Sequence, residues 1–294
     1  MRQLLPINIP GRELGCENAI LSGTSARHHV PDFEGCLSLK SVVHGAADWE
    51  ADGRRFVVSR DCYLILNDRQ HYTITIDSVQ KATTFCLFFQ RGFVEDIQRA
   101  TIVGEEMLLD APLPGNAQPL EFINRLEPQD SAVLGLLRRF HAAVASGEMT
   151  LVDWDQHFIR IAAQLTRERR DTARAIANLP AARASTRAEV YRRLLRGRDF
   201  LLASIAEPVR LNDIAAAACL SPFHFHRSFT QVFHQTPHQY LTRQRLHRAA
   251  DLLRRTNLSV TEIGLDAGFE SLASFSDLFR RHYGVSPRQY RGAI

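Results

Sequence analysis

The residues best equipped for chemistry lie in the last third of the chain, in the run Ser221-Pro222-Phe223-His224-Phe225-His226-Arg227-Ser228-Phe229-Thr230. Read as a helix, this run puts Phe225, Phe229 and Val232/Phe233 on one face. Phe223, His226, Arg227 and Thr230, at i, i+3, i+4 and i+7, then share the opposite face. An exposed stripe of a ring, an imidazole and a guanidinium adds nothing to folding, but it suits a DNA groove. Arg227 can bond guanine O6 and N7 together, His226 can donate to a base edge or a phosphate, and Phe223 can lie against a thymine methyl or the sugar wall. Ser221 and His224, at the start of the run, read as supporting or phosphate-contacting groups. The plain alternative is a solvated charged surface, which is the default for an arginine considered alone.

A second stripe follows about fifty residues later. In Ser271–His282, with Phe275 and Phe279 as core, Leu272, Ala273, Ser276 and Asp277 face outward, with Ser271 and Ser274 at the helix start and Arg280 near its end. This face is poor in strong donors, and Asp277 should repel phosphate. It offers apolar contacts, a Ser or backbone-amide bond to phosphate, or an Asp contact to cytosine N4. The first stripe is therefore expected to supply most of the discrimination between sequences.

The two stripes belong to a repeated unit. Residues 228–240 (SFTQVFHQTPHQY) match 278–290 (LFRRHYGVSPRQY) at an offset of 50: Phe229 with Phe279, Phe233 with Tyr283, Thr236 with Ser286, Pro237 with Pro287, Gln239 with Gln289, Tyr240 with Tyr290. Upstream, Ile214 matches Ile263 and Ala218 matches Ala267 at an offset of 49. Each copy carries the punctuation of a helix-turn-helix: a short Ala-rich helix, a turn at Cys219-Leu220 or Gly268-Phe269, and a second helix behind Ser221-Pro222 or Glu270-Ser271. Ser259 with Glu262, Thr236 with Gln239 and Ser286 with Gln289 have capping-box spacing. The units are expected at about 211–234 and 260–283.

The remaining chain must position this head. Short β-rich runs at Cys36–Val43, Arg55–Ser59, Cys62–Leu66, Gln70–Asp77 and Thr83–Phe89, with no helices between them, predict an antiparallel sandwich or barrel. A short helix around Gly92–Thr101 and a Pro/Gly loop at Ala111–Pro119 follow. Two amphipathic helices come next, at about 131–145 and 152–178. In the second, Leu151, Trp154, Phe158, Ile161 and Leu165 recur like a heptad seam. Two readings stay open: a helix packed on its own barrel, or a homodimer face. Leu179–Arg187 reads as a linker, giving a sensor and dimerisation domain at 1–178, a linker at 179–189 and a DNA-binding domain at 190–294.

Charge follows the same division. Of the 294 residues, 190–294 hold 15 Arg against 8 Asp plus Glu (+7), while 1–189 hold 21 basic against 24 acidic (−3). The only lysines are Lys40 and Lys81, so the positive charge of the last third is all guanidinium, the cation that matches phosphate and guanine edges bidentately. Composition is ordinarily globular, and no apolar run approaches the roughly 18–20 residues of a membrane span. The first residues, Met1–Pro6, show no secretory hydrophobic stretch. Five cysteines without paired spacing argue against a disulfide framework, so a cytoplasmic setting is expected.

The stretch SPFHFHRSFTQVFHQTPHQYLTRQRLHRAADLLRRTNLSVTEIGLDAGFESLASFSDLFRRHYGVSPRQYR resembles the DNA-binding domain of the AraC/XylS family of bacterial transcription regulators. The resemblance implies two helix-turn-helix units joined by a long helix, here about Pro237–Arg255, reading successive major grooves. It places base-reading positions on Phe223, His226 and Arg227 and on Leu272, Ala273 and Ser276–Asp277. Two departures stand out. Cys219 replaces a usual Gly at the first turn and is expected as a small core thiol. His234 replaces the Gly that usually ends the first recognition helix, so a left-handed cap there is expected to be strained or absent.

Gly45–Asn67 more weakly resembles the family's cupin-like sensor barrel. The fold class expected is thus α+β with two domains: a cupin-like antiparallel β-barrel with a helical dimerisation element, then an all-α domain with two helix-turn-helix units. Trp49, Tyr63, His71 and Tyr72 are candidate effector-binding residues. No His-x-His pair with a following Glu and later His is present, so neither a metal site nor another cofactor is expected, and no catalytic residue is assigned. The implied partners are double-stranded DNA, a small-molecule effector, a second copy of the chain and, as a candidate, RNA polymerase. The rivals are a constitutive DNA-binder with a non-sensing barrel and a cupin-type enzyme fused to a DNA-binding head.

Overall fold

The computed structural model describes residues 13–102, 119–128, 131–147, 150–181 and 183–292. The Pro/Gly loop expected at Ala111–Pro119 falls outside them apart from its last residue, as do Met1–Pro6. The chain divides into two compact units, Met1–Asp171 and Thr172–Ile294.

In the first unit the described residues form one antiparallel sheet of seven strands: β1 (Ala19–Glu34), β2 (Ser38–His44), β3 (Ala46–Ala51), β4 (Arg54–Ser59), β5 (Cys62–Leu66), β6 (His71–Phe88) and β7 (Leu126–Pro128). The order is β4-β3-β6-β2-β5-β7, with β1 also on β6, and the sheet curls into a nearly closed barrel. The runs expected separately at Gln70–Asp77 and Thr83–Phe89 are one 18-residue strand. It pairs with β1 from Glu34↔His71 to Ala19↔Phe88, and its two halves also pair with β3 and β2. Its length lets one strand belong to both ends of the barrel.

Alternation along β5 sorts the core. Leu64 and Leu66 join Trp49, Phe56, Tyr72 and Phe88 on the enclosed face. Tyr63 and Ile65 join Phe85 and Leu87 on the other, against three helices: α1 (Phe93–Ile102), α2 (Ala132–Ser146) and α3 (Leu151–Ala177). Ser131 caps α2 and Gly147 ends it in the left-handed conformation.

The seam on α3 is spent inside the unit. Phe158, Ile161 and Leu165 are buried in this core and Trp154 packs against it, with the Trp154 and Phe140 rings 5.5 Å apart. At roughly 1.5–3 kcal/mol for each side chain buried, these contacts already serve folding. Of the two readings left open for this seam, its buried side chains fit packing on its own barrel.

The second unit is helical: α4 (Ala184–Ala203), α5 (Leu211–Ala217), α6 (Pro222–Phe233), α7 (Pro237–Arg255), α8 (Val260–Asp266), α9 (Leu272–Tyr283) and α10 (Pro287–Gly292). The expected linker at Leu179–Arg187 is shorter than its composition suggested. Leu179 is buried, and α4 begins at Ala184, because nothing after Pro180 opposes helix. Gly197 on α4 lets the helices close up: a Cβ there would lie 2.4 Å from the Phe225 ring.

Candidate nucleic-acid interface

The start of α6 is fixed by its cap. Pro222 occupies the first turn, and the Ser221 hydroxyl accepts the His224 N–H at 3.3 Å. Phe225 and Phe229 are fully buried, Val232 is buried, and Phe233, half-buried, packs tilted against Phe229. That phase turns the other face outward. Phe223 is 77% exposed, His226 and Arg227 are exposed, and His224 is half-buried beside them. Among the described residues nothing accepts a hydrogen bond or ion pair from the Arg227 guanidinium. The Thr230 hydroxyl donates back to the His226 carbonyl at 2.8 Å, so it offers a methyl group and lone pairs rather than a free proton.

The second helix repeats the arrangement. Ser271 caps α9 by accepting the Ser274 N–H at 3.2 Å. Phe275 and Phe279 are fully buried, Leu272 is 44% exposed, Ala273 and Ser274 are exposed, and Ser276 is half-buried. Asp277, expected to repel phosphate, is paired on its own helix. Its carboxylate bonds Arg281 at 2.7 Å and lies 4.0 Å from Arg280, so it is neutralised on its own helix. Arg281 was missed in the sequence, although the i,i+4 spacing from Asp277 was there to be read. A pair this exposed contributes at most about 1 kcal/mol, so either arginine can be recruited by a phosphate.

The turns correct one further expectation, on Cys219, and decide between the two outcomes expected at His234. Cys219 is an exposed free thiol, not a core one, and holds φ = 52° at the position of Gly268, whose φ is 91°. The difference in residue type has a local reason. A Cβ on Gly268 would meet the Ile205 carbonyl oxygen at 2.6 Å and Arg245 Nε at 2.8 Å, so only glycine fits. Arg245 crowds that turn because it holds the chain after α4, donating to the Ile205 carbonyl at 2.7 Å and the Glu207 carbonyl at 2.6 Å. Burial pulls its pKa down from the ordinary arginine value. At the end of α6, His234 does adopt the left-handed cap, at φ = 54°, matching Gly284 at 79° on α9.

A basic cluster beside the first turn escaped the sequence reading. On α4, Glu189 bonds Arg193 at 3.0 Å, Arg192 at 3.3 Å and Arg196 at 3.4 Å, three guanidiniums on one carboxylate. Hydrogen bonds from Arg193 come first among the causes that hold the Glu189 pKa below the usual carboxylate value. Arg193 also donates to the Cys219 carbonyl at 3.3 Å, which sets the cluster next to the turn before α6. Positive charge there can grip a phosphate backbone without reading bases.

The four candidate effector residues do not come together. Trp49 and Tyr72 are buried on the enclosed face of the barrel, where Lys40 Nζ donates to the Tyr72 hydroxyl at 2.9 Å. Tyr63 faces the opposite way, toward the helices, because it is out of step with Leu64 and Leu66. Its hydroxyl donates to Glu168 at 3.1 Å, and burial raises the pKa of that carboxyl. His71 is exposed at the start of β6, with Nδ1 2.8 Å from an Asp32 carboxylate oxygen. Of the four, Trp49 and Tyr72 share the enclosed face, while Tyr63 and His71 lie elsewhere.

Comparison with known proteins places the helical unit. Residues 214–293 match the family model of a helix-turn-helix domain. Over 89 residues the chain is 39% identical to the HTH-type transcriptional regulator ArgR of Pseudomonas aeruginosa, covering 30% of this chain and 27% of that one. Over 86 residues it is 44% identical to the HTH-type transcriptional activator RhaS of Escherichia fergusonii, covering 29% of this chain and 31% of the relative. The chain thus spans only about a third or less of the length of these relatives. Among solved structures, a transcriptional regulator from Chromobacterium violaceum, titled as carrying an AraC-type DNA-binding domain, is 34% identical over 36% of this chain and 94% of its own, with a TM-score of 0.34. Among the described residues no helix is long and apolar enough to cross a membrane.

Proposed function

We propose, on the premise that residues 214–293 are an AraC-type helix-turn-helix domain, that the chain is a sequence-specific DNA-binding transcription regulator acting in the cytoplasm. The helix pairs α5–α6 and α8–α9 act as two reading units, with α6 dominant. The observation that carries this is the outward stripe of α6: an exposed Phe223, an exposed His226 and an Arg227 whose guanidinium has no acceptor among the described residues. Ser221 and Ser271 serve as caps whose protons remain available to phosphate. Arg192, Arg193 and Arg196 add backbone contacts, as do Arg280 and Arg281. Leu272, Ala273, Ser274 and Ser276 supply apolar and small polar contacts from α9. The first unit senses a small molecule and shifts how the reading helices are presented. A second copy of the chain and RNA polymerase are the protein partners in this reading.

The test is Arg227→Ala, compared on a selected target site and on random DNA. Loss of a bidentate contact to guanine should weaken the target complex by roughly 1–3 kcal/mol and relax preference at one base pair, leaving random DNA little affected. Equal loss on both would make Arg227 a phosphate contact. Failure of the wild-type protein to shift any fragment of its own genome at low salt would sink the whole reading.

A further inference from the structure

The first unit contains a cavity of about 240 Å³ between the outer face of the barrel and α2. Its apolar lining includes Phe85, Leu134 and Leu137, and its polar lining includes the Arg60 and Arg138 guanidiniums and the His141 ring. Leu134, Leu137, Arg138 and His141 follow one another at i, i+3, i+4 and i+7, so a single face of α2 supplies both the greasy and the charged part. The opposite wall comes from β2 and β6, where the Ser41 hydroxyl is already committed to the Phe85 carbonyl.

The charges in this cavity are not balanced from within. Arg138 donates to the Arg60 carbonyl at 2.8 Å and lies 3.5 Å from Asp61, the one carboxylate that pairs with it among the described residues. Arg60, in the β4–β5 turn, also lines the cavity, and its buried Nε has no acceptor among the described residues. His141 stands edge-on to Phe85, with ring centroids 5.1 Å apart, and burial lowers its pKa, so at neutral pH it is a neutral hydrogen-bonding group. Two guanidiniums against one carboxylate leave room for one more negative charge.

We infer that this cavity binds a small organic monoanion, with its apolar body against Phe85, Leu134 and Leu137 and its carboxylate between Arg60 and Arg138. Size limits the body. An apolar cavity of about 150 Å³ holds a benzene ring, and pockets for drug-sized ligands begin near 300 Å³. About six to eight carbon atoms therefore fit. This site is separate from the barrel interior, which is filled by Trp49, Phe56, Tyr72 and Phe88. That the bound anion is the regulator's effector rests on the function proposed above; that it binds does not.

Calorimetry on the full chain without DNA tests the site, with cyclohexanecarboxylate as the probe. Saturable binding of one molecule per chain is expected. Neutral cyclohexanecarboxamide and acetate, each lacking one half of the recognition, should bind at least tenfold more weakly. Arg60→Gln should weaken carboxylate binding at least tenfold, about 1.4 kcal/mol, without lowering the thermal midpoint of the unit. Binding of the amide as tight as the carboxylate, absence of saturable binding, or an unaffected Arg60→Gln variant would overturn the site. A bound probe that leaves DNA affinity and site preference unchanged would overturn only the effector role.

Discussion

Lys40 gives the sharpest energetic test of the first unit. It is 1% exposed on the enclosed face of the barrel, with its ammonium 2.9 Å from the Tyr72 hydroxyl, 3.9 Å from the Phe88 ring centroid and 4.3 Å from that of Tyr72. Among the described residues no carboxylate pairs with it. Burial pushes its pKa down from 10.5 to about 8, against the small opposing influence of Cys86 and Cys36. The unfolded chain therefore holds this proton more tightly than the folded one, so between pH 8 and 10.5 stability rises with pH. Integrated from pH 7 to 9, the difference in proton binding of Lys40 contributes on the order of 1 kcal/mol. The buried thiols act in the opposite sense, since burial raises Cys36 to about 11 and also raises Cys86. They already count as pH approaches the ordinary thiol value of 9.0, so the Lys40 contribution is read from the difference between the wild-type and variant pH profiles. Replacing the pair together, Lys40→Met with Tyr72→Phe, removes the buried charge without orphaning the hydroxyl. At pH 7 the double variant should be more stable by about 2 kcal/mol, and its stability should lack the rise between pH 7 and 9. Both tryptophans, Trp49 and Trp154, lie in this unit, so their fluorescence during urea unfolding of the full chain reports on it alone. Parallel pH profiles for wild type and double variant would refute the claim that Lys40 is buried as a charge at neutral pH.

Two further outcomes follow from the helical unit. Cys219→Gly and His234→Gly, which relieve left-handed backbone at φ = 52° and 54°, should each raise its stability by about 0.5–1 kcal/mol. Gly268→Ala should lower it by more than that, because of the 2.6 Å approach to the Ile205 carbonyl, and circular dichroism melts at 222 nm distinguish the three. Phe223→Ala should leave the melt within about 0.5 kcal/mol, since the ring is 77% exposed, yet weaken binding to target DNA. Unchanged binding would remove Phe223 from the interface.

What could be read in the sequence was what short-range chemistry encodes. The caps Ser221, Thr236, Ser259 and Ser271 all accept the backbone N–H that their spacing implied, and the two stripes face outward because Phe225/Phe229 and Phe275/Phe279 face in. What escaped depends on partners distant in the chain. β1 is half-exposed along most of its length and rich in Ser, Thr and His, so its own pattern says little; it is a strand because β6 pairs with it. Tyr63 looked like a pocket residue because β5 is buried on both faces, and an aromatic in such a strand carries no mark of which face it takes. β3 is a different kind of miss, since Ala47, Trp49 and Ala51 alternate with Asp48 and Glu50 and are buried in that order.

The left-handed residues show how the repeat itself carries conformational information that residue type conceals. Neither Cys219 nor His234 looks like a turn glycine, and type alone argues against positive φ at both. Set in register with the second copy, however, Cys219 falls on Gly268 and His234 on Gly284, and all four share the sign of φ. Backbone conformation is thus held by the unit's packing: α5 must reach α6, and α6 must release the chain into α7, along the same path as in the second copy. The side chain then varies wherever its Cβ has space. At Gly268 it has none, because Arg245 and the Ile205 carbonyl fill the place. An internal repeat can therefore predict strained positions, and the copy that retains glycine identifies them in the copy that does not.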